Sequence, residues 1–285
     1  MSSFTSVAID GVQMDPATAS IPVSDMGFMR GYGVFEVIRG IGGRCFRLSE
    51  HLDRLAKSAA MLGINLPDRE HIGSWAASAA AHEDAAIIRI LVSAGDDPFD
   101  GTVRVVVTAE PYPLPKPELT LLPVVAPWHS DGESWELLGA KTLSYGNNFG
   151  AIRAAKLQGF TDAVLIGRSG RILEGPTFTI GWVVEEDGRV VYETPAMSLG
   201  ILDSITRQLA FDSAGDAGLE IREVEVGLDR LDDALEFFAL STLRDTLSVI
   251  AVGTRKFDPG PATTALREAM QQRTREEIAG TPHTR

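Results

Sequence analysis

The sequence contains almost no cysteine. Cys45 is the single thiol among 285 residues, and one thiol cannot form a disulfide within the chain. The neighbours of Cys45 also lack the spacing of metal ligands, so no metal site is predicted. These absences argue against a disulfide-stapled secreted domain, and a reducing cytoplasm is the expected location.

Long apolar runs are absent as well. No stretch approaches the ~18 apolar residues that span a bilayer. The first ten residues, MSSFTSVAID, lack the charged segment and apolar run of a signal peptide. Neither secretion nor insertion into a membrane is therefore expected.

Positive charge is scarce. The formal net charge is −13, and surfaces that bind nucleic acid or anionic membranes need an excess of lysine and arginine. Neither of these partners is therefore expected. Lysine is so rare that a catalytic lysine has five candidates: Lys57, Lys116, Lys141, Lys156 and Lys256.

The first third of the chain is predicted to form short strands and two helices. Apolar side chains recur on one face of the first predicted helix at spacings of four and three, so that face should pack on a sheet. They are Leu48, Leu52, Leu55, Ala59 and Leu62. The predicted strands are 5–10, 34–40, 44–48, 86–94 and 103–110, and the predicted helices are 48–64 and 68–82.

A proline-rich segment divides the chain. PYPLPKPE, residues 111–118, contains four prolines, which forbid a regular strand ladder and favour a linker. We therefore predict a small N-terminal α/β domain at 1–117 and a larger C-terminal domain at 118–285. Turn signals in the second domain favour a mostly antiparallel or mixed sheet, so the predicted fold class is α/β (α+β). Its predicted strands are 119–127, 162–167, 171–175, 177–184, 189–195 and 234–241, and its predicted helices are 147–160, 201–218 and 262–280.

Lys141 lies in AKTLSYGNN, residues 140–148, between a predicted loop and a helix. A lysine that forms an adduct with a carbonyl group needs a lowered pKa and a fixed position, which a buried junction can provide. Most lysines are solvated surface residues. Lys141 by itself therefore indicates no function.

Glu174 lies between Leu173 and Gly175 at the end of a predicted strand. A carboxylate among apolar neighbours can keep the ring nitrogen of a cofactor protonated. A turn carboxylate that faces water is an equally good interpretation of the same pattern.

Two segments suit an anion. Ser204–Thr206 lie at the predicted start of a helix, where backbone N–H groups and the helix dipole favour a phosphate. The alternative interpretation is that Asp203 or Ser204 is an ordinary N-cap, which is the more common role of such residues. Ser241 and Thr242 directly follow an apolar strand, where their hydroxyls and amides could also donate to an anion.

The order and spacing of these residues closely resemble the class IV aminotransferases, the family of branched-chain aminotransferases, D-amino-acid transaminases and aminodeoxychorismate lyases. The likeness runs from about residue 28 to residue 260, and its specificity lies in five ordered elements. These are RGYGVFEVIRG at 30–40 with HLDRL at 51–55, the K-x-x-x-Y-x-x-N pattern of Lys141, Tyr145 and Asn148, the EG pair at 174–175, LDSITR at 202–207, and Thr242.

The resemblance implies a fold-type IV enzyme that binds pyridoxal 5'-phosphate (PLP). Lys141 would hold the cofactor as a Schiff base, and Glu174 would face its pyridine nitrogen. Arg54 and the amides of Ile205 and Thr206 would bind its phosphate. The remaining cofactor residues that it implies are Tyr145, Leu202, Ser204, Ser241 and Thr242, with Leu202 packed on the ring.

The family also implies an architecture and a mechanism. A small N-terminal domain and a larger one with a mixed sheet or pseudo-barrel would enclose PLP between them, in a homodimer whose partner loops complete the site. Once a substrate amine displaces Lys141, the freed lysine would move a proton as general base and acid. A 2-oxo acid would then restore the cofactor in a second half-reaction.

The sequence departs from the family where the substrate carboxylate is expected. Ala94 stands where many D-amino-acid transaminases have an arginine, so that clamp is missing. Arg30 and Arg89 could replace it, because guanidinium offers a planar fork suited to carboxylate. A structural salt bridge is an equally good interpretation of Arg89. The other predicted substrate residues are Phe35, Thr179 and Leu243.

Two further departures concern the pocket and the phosphate loop. The usual asparagine after the EG pair is replaced by Phe178 and Thr179, and Ser204 replaces the usual glycine. The first change bears on the wall of the substrate pocket. The second bears on the geometry of the phosphate loop, although serine tolerates most helix N-terminal conformations.

The leading hypothesis is a transaminase that moves an amino group from a D-amino acid to 2-oxoglutarate or pyruvate. The arginine pair favours it over the alternatives of the same fold, which are an aminodeoxychorismate lyase, an L-branched-chain aminotransferase and an (R)-amine transaminase. A non-catalytic PLP-binding homologue is disfavoured because Lys141 and Glu174 are both present. An unrelated α/β protein with chance motifs predicts no yellow colour on purification.

Overall fold

Two compact units form the chain in a computed structural model, which describes residues 4–82, 86–99, 101–112, 118–243 and 245–280. The first unit is Met1–Leu114 with Gly139–Tyr145, and the second is Pro115–Leu138 with Gly146–Arg285. Residues 113–117, most of the predicted linker, lie outside the described residues. The domain limits at 117 and 118 stay a prediction. The segment that contains Lys141, predicted as part of the second domain, packs with the first unit.

The first unit is a six-stranded sheet with helices. Its strands follow the order β2-β1-β6-β5-β3-β4, and every neighbouring pair is antiparallel. Helix α2 packs on β3, and α3 packs on β5 and β6. The strands are β1 Ser6–Ile9, β2 Val12–Met14, β3 Gly33–Ile41, β4 Arg44–Cys45, β5 Ile87–Ser93 and β6 Arg104–Glu110, and the helices are α1 Met26–Arg30, α2 Leu48–Met61 and α3 Arg69–Ala80.

The apolar face predicted for α2 is confirmed. Leu52, Leu55 and Ala59 are buried, as the spacing of four and three requires for a helix that covers a sheet. The strand predicted at 44–48 is wrong in its second half. Arg47 adopts a left-handed conformation with φ 50° at the N-cap of α2, so the chain turns there and the helix begins at Leu48.

The second unit is built on a mixed sheet with the order β11-β10-β9-β12-β13-β7-β8, and β14 pairs with β13. The pairs β10/β11, β13/β7 and β7/β8 are parallel, whereas β9 pairs antiparallel with β10 and β12. The predicted α/β class with a mixed second sheet is therefore confirmed. The elements are β7 Leu119–Val125, β8 Asp162–Ile166, β9 Thr179–Glu186, β10 Arg189–Pro195, β11 Glu220–Val224, β12 Glu236–Ser241, β13 Asp245–Val252, β14 Arg255–Lys256, α4 Gly146–Leu157, α5 Ile205–Ala217 and α6 Pro261–Ala279, with short 3-10 turns at Met197–Leu199 and Leu228–Asp233.

Aromatic side chains fill the core of the second unit. Trp182, Phe237 and Phe257 pack together, with ring centroids 5.9 Å and 5.6 Å apart for the two pairs that Phe237 makes. The strand predicted at 171–175 is wrong, because this segment forms only isolated bridges, at Arg171, Ile172 and Gly175. It runs instead as an irregular segment hydrogen-bonded to the end of β8.

Some elements were not predicted. Helix α1 has five residues and none is buried, so it leaves no periodic pattern. Strands β11 and β13 were also missed. Within the described ranges, no helix combines the length and the apolar character that crossing a membrane requires.

Candidate active site

Lys141 is held through its backbone in the first unit. The N–H of Phe35 on β3 donates to the carbonyl of Lys141 at 3.1 Å, and the N–H of Leu143 donates to Gly33 at 2.8 Å. Ser58 on α2 accepts the N–H of Lys141 at 3.1 Å. The lysine segment is therefore fixed to both a strand and a helix.

The amine of Lys141 lies against two aromatic rings. Its Nζ is 4.3 Å from the ring centroid of Phe35 and 5.6 Å from that of Tyr145. The two rings meet edge to face, with centroids 5.1 Å apart. The structure thus brings three of the predicted site residues together, with Lys141 half-buried.

Arg54 is fixed by a buried carboxylate that was not predicted. Glu36 on β3, which has no exposed surface, accepts from Nε of Arg54 at 2.8 Å and from Nη2 at 2.7 Å. It also lies 2.7 Å from Nδ1 of His51. Burial alone would raise the pKa of Glu36, but the hydrogen bonds from Arg54 and His51 outweigh it and lower that pKa to about 2. Burial lowers the pKa of His51.

The two candidate carboxylate-binding arginines differ in their surroundings. Arg89 on β5 pairs with Glu110 on the neighbouring strand β6, so the salt bridge weighed for Arg89 is present. Arg30 is exposed at the end of α1, where its Nη1 donates to the carbonyl of Met29 at 2.8 Å. Arg30 is therefore the better placed of the two to meet a ligand.

Glu174 belongs to the second unit, where its backbone is fixed to the end of β8. Its carbonyl accepts from the N–H of Leu165 at 2.8 Å. One carboxylate oxygen accepts from the N–H of Leu202 at 3.3 Å, and the other lies 3.4 Å from Nε2 of His129. The side chain is 16% exposed, so it is not the water-facing turn carboxylate of the alternative interpretation.

Gly175 lies next to Glu174 and approaches the ring of Phe178 closely. A Cβ at position 175 would come within 2.2 Å of that ring, and the N–H of Gly175 donates to the carbonyl of Phe178 at 2.8 Å. Asn148 on α4 donates from Nδ2 to the carbonyl of Pro176 at 2.7 Å. The EG segment therefore ends in a tight turn and is hydrogen-bonded to α4.

The start of α5 is a capped helix N-terminus. Ser204 is the N-cap, and its hydroxyl accepts from the N–H of Arg207 at 3.3 Å. The first amides of a helix, here those of Ile205 and Thr206, have no acceptor within the helix and point out of its end. The N-cap interpretation and the anion interpretation of this segment are therefore compatible.

Glu223 on β11 connects the two ends of the segment that leads into α5. It pairs with Arg207, which is 8% exposed, and accepts from the N–H of Met197 at 2.9 Å. The segment in between contains Leu202 and Ser204. One carboxylate therefore fixes both ends of the loop that carries the predicted cofactor contacts.

The remaining predicted residues lie at one end of neighbouring strands. Thr179 begins β9 and is buried opposite Leu240 on β12. Ser241 ends β12, and Thr242 and Leu243 follow it in the turn before β13. The structure thus groups Thr179 with the 241–243 turn.

An open polar cavity of about 590 Å³ lies elsewhere in the second unit. None of the predicted site residues lines it. Its wall includes Ser130, Asp131, Arg168, Arg171, Ser198 and Glu225.

The sequence and the fold are similar to those of known aminotransferases. The family model for amino-transferase class IV matches residues 33–252. A D-alanine aminotransferase of Bacillus licheniformis is 29% identical over 96% of this chain and 99% of its own, and a probable branched-chain-amino-acid aminotransferase of Rickettsia bellii is 30% identical over 78% and 79%. A hypothetical aminotransferase from Mycobacterium tuberculosis, solved in its PLP-bound form, shares the fold with a TM-score of 0.86 at 24% identity over 96% of this chain and 100% of that chain.

A lysine amine fixed beside aromatic rings suits an enzyme that captures a carbonyl compound, and the fold is that of the type IV aminotransferases. Because the family model spans most of the sequence, the chain belongs to the class IV aminotransferase family. It is a PLP-dependent aminotransferase. The predicted family, enzyme class and cofactor are thereby confirmed.

Proposed function

We propose that this protein is a transaminase that moves the amino group of an amino acid, preferentially a D-amino acid, to 2-oxoglutarate or pyruvate by a ping-pong mechanism. The observation that carries the proposal is the environment of Lys141. Its backbone is hydrogen-bonded to β3 and to Ser58, and its amine lies 4.3 Å from the centroid of Phe35. A lysine held in this way offers a nucleophilic amine at a fixed position.

We assign the ring of PLP to the residues around Glu174. Bound to Lys141, PLP supplies a sink for the electron pair left on the substrate carbon. We assign Glu174 as the acceptor of the ring N–H, because its two oxygens are held by the N–H of Leu202 and by contact with His129, and lone pairs remain for a further donor. Leu202 would pack on the ring, and Tyr145 would contact the cofactor beside Lys141.

We assign the phosphate contacts to residues of two segments, each argued from its own surroundings. The phosphate would bind Arg54, which Glu36 holds in one orientation through two hydrogen bonds, and the N-terminus of α5. There the amides of Ile205 and Thr206 would donate to it, with Ser204 as the cap. Ser241 and Thr242 would supply the last hydroxyl contacts.

Proton transfer is the task of Lys141. With the cofactor bound, its Nζ would take a proton from the α-carbon of the substrate and later deliver it as an acid. The rings of Phe35 and Tyr145 restrict where that amine can move. Lys141 and Glu174 are the two catalytic residues of the proposal.

Substrate binding is assigned mainly to Arg30. Its guanidinium is exposed and offers the planar fork that a carboxylate prefers, whereas Arg89 is already paired with Glu110. Phe35, Thr179 and Leu243 are the other residues that we assign to substrate binding. The match to a D-alanine aminotransferase along nearly the whole chain supports the D-amino acid preference.

The similarity to a branched-chain-amino-acid aminotransferase supports an L-amino acid as the second candidate substrate. A panel of D-alanine, D-glutamate, L-leucine, (R)-amines and aminodeoxychorismate, each scored by conversion of the bound cofactor spectrum to its amine form, distinguishes these candidates and the lyase. We expect D-alanine or D-glutamate to convert it fastest. Faster conversion by L-leucine contradicts the D preference, and consumption of aminodeoxychorismate without conversion indicates the lyase.

The role of Arg30 has its own test in the same assay. Arg30→Ala should raise the KM for carboxylate substrates by about tenfold or more, as the loss of a charge-assisted hydrogen bond predicts. Arg189→Ala, at an exposed arginine of β10, is the control. Equal KM values in the two variants contradict the assignment.

A homodimer belongs to the same proposal. Four apolar side chains on or near α1 are exposed, and surfaces of this kind serve as interfaces. Light scattering on the purified protein should give twice the mass of one chain, and a single-chain mass contradicts the dimer. The residues are Ile21, Val23, Phe28 and Met29.

We also propose a cytoplasmic location. The single thiol, Cys45, is free and partly buried, and a chain with one cysteine forms no intrachain disulfide, as is usual for proteins of a reducing compartment. Recovery of the protein from another cell fraction would contradict this location.

A further inference from the structure

His129 contacts the carboxylate of Glu174, and the structure defines which of its ring nitrogens carries a hydrogen. The backbone N–H of Asp131 donates to Nδ1 of His129, so Nδ1 is an acceptor and has no proton in the neutral ring. The proton of the neutral ring is then on Nε2. Because Nε2 lies 3.4 Å from Oε1 of Glu174, His129 is a donor to that carboxylate.

The turn that carries His129 is anchored on both sides. The carboxylate of Asp131 accepts from the backbone N–H of Ser169 at 2.6 Å and from its hydroxyl at 2.8 Å, so it is engaged away from the imidazole. Gly167 makes room for it, because a Cβ there would lie 2.2 Å from Oδ1 of Asp131. The N–H of Gly132 donates to the carbonyl of Leu199 at 3.1 Å.

We propose that His129 is a positioning residue for Glu174, which together with the N–H of Leu202 holds this carboxylate aimed at the ring nitrogen of PLP. The inference rests on the proposed function, since it deepens the role given to Glu174. Each carboxylate oxygen has one donor, Leu202 at Oε2 and His129 at Oε1. Lone pairs remain for a third N–H.

Donors to a carboxylate stabilise its charged form. A proton shared between Glu174 and a ring nitrogen therefore stays on the nitrogen while both donors are present. Without the His129 donor, the proton moves towards the carboxylate and the ring becomes more neutral. The electron sink then weakens, although Glu174 itself is unchanged.

The test compares two amides in the place of the imidazole. His129→Gln extends an amide N–H to the region of Nε2, whereas the shorter His129→Asn reaches only the region of Nδ1. His82→Asn, at an exposed histidine, is the control. Each holoenzyme is loaded with PLP labelled with ¹⁵N at the ring nitrogen, and the ¹⁵N resonance is read by NMR at one neutral pH.

We expect wild type, His129→Gln and His82→Asn to show a protonated ring nitrogen, and His129→Asn to move towards the neutral resonance with about tenfold weaker PLP binding, the effect of one hydrogen bond. Identical resonances for His129→Gln and His129→Asn overturn the inference. A merely structural role would weaken binding without moving the resonance, and that result also overturns it. Failure of the proposed function is a separate result, because wild type would then not bind labelled PLP at Lys141.

Discussion

Ser58 accepts a hydrogen bond from the backbone N–H of Lys141 at 3.1 Å. Ser58 is buried on α2, on the helix that also contributes His51 and Arg54. One helix therefore both fixes the segment of Lys141 and contains Arg54, the arginine that is predicted to bind the phosphate.

Loss of that acceptor should be measurable. Ser58→Ala leaves the N–H of Lys141 without its partner, so we expect a loss of about 1 kcal/mol in the free energy of unfolding. Urea titration measures it. Ser78→Ala, at an exposed serine of α3, should lose much less, and equal losses would contradict the role of Ser58.

The loss of folding stability at acidic pH should depend on Glu36. Its pKa is lowered to about 2 in the folded protein, so its charged form contributes stability above the ordinary value of 4.5, and this contribution is lost as the pH falls towards about 2. Glu36→Gln should be less stable than wild type at neutral pH by roughly 3 kcal/mol, the equivalent of that shift. The difference should shrink in acid.

Thermal unfolding across that pH window measures the effect. Glu70→Gln, at an exposed glutamate of α3, is the control and should leave the profile unchanged. If Glu36→Gln and wild type lose stability in parallel from pH 4.5 to about 2, the ion pair with Arg54 does not contribute as described.

Glu193 and Glu186 allow the stability contributions of a buried and an exposed carboxylate to be compared. Glu193 is 1% exposed and accepts from Trp182, Arg222 and Arg230, whereas Glu186 is 41% exposed and shares the same two arginines. Glu193→Ala leaves the buried N–H of Trp182 without its acceptor and removes one of the two carboxylates that Arg222 and Arg230 share, so we expect a loss of roughly 3 kcal/mol. Glu186→Ala should lose far less because solvent screens it. A larger loss for Glu186→Ala would contradict the ranking.

Glu223 should affect cofactor binding from a distance. Glu223→Ala releases Met197 and Arg207 at the two ends of the loop, and we expect PLP to bind about tenfold more weakly, as the loss of a hydrogen bond to a charged group predicts. Quenching of tryptophan fluorescence on PLP addition measures it. Glu220→Ala, at an exposed residue of the same strand, should bind PLP as wild type does.

Local patterns in the sequence were sufficient for most helices and strands. The face of α2 followed from the spacing of its leucines, because a helix on a sheet buries one stripe. Helix α1 could not be found in this way, since none of its residues is buried. The ion pair of Arg89 was one of two interpretations, because strand alternation gives the face of a residue and not its partner on the next strand.

Contacts between distant segments account for what the sequence did not indicate. His129, Glu36 and Glu223 each act on a residue that the motifs had identified, namely Glu174, Arg54 and Arg207. Their positions depend on strand order and loop packing, which no local spacing encodes. For His129 the sequence offered no signal beyond its presence in the segment PWHSD.

The covalent link at Lys141 is the central claim. Borohydride reduction of the PLP-loaded protein, followed by peptide mass spectrometry, should place the phosphopyridoxyl group on Lys141. Lys141→Ala should abolish the label, and Lys156→Ala, at an exposed lysine at the end of α4, should keep it. A label on another lysine, or none in the wild-type protein, would contradict the account.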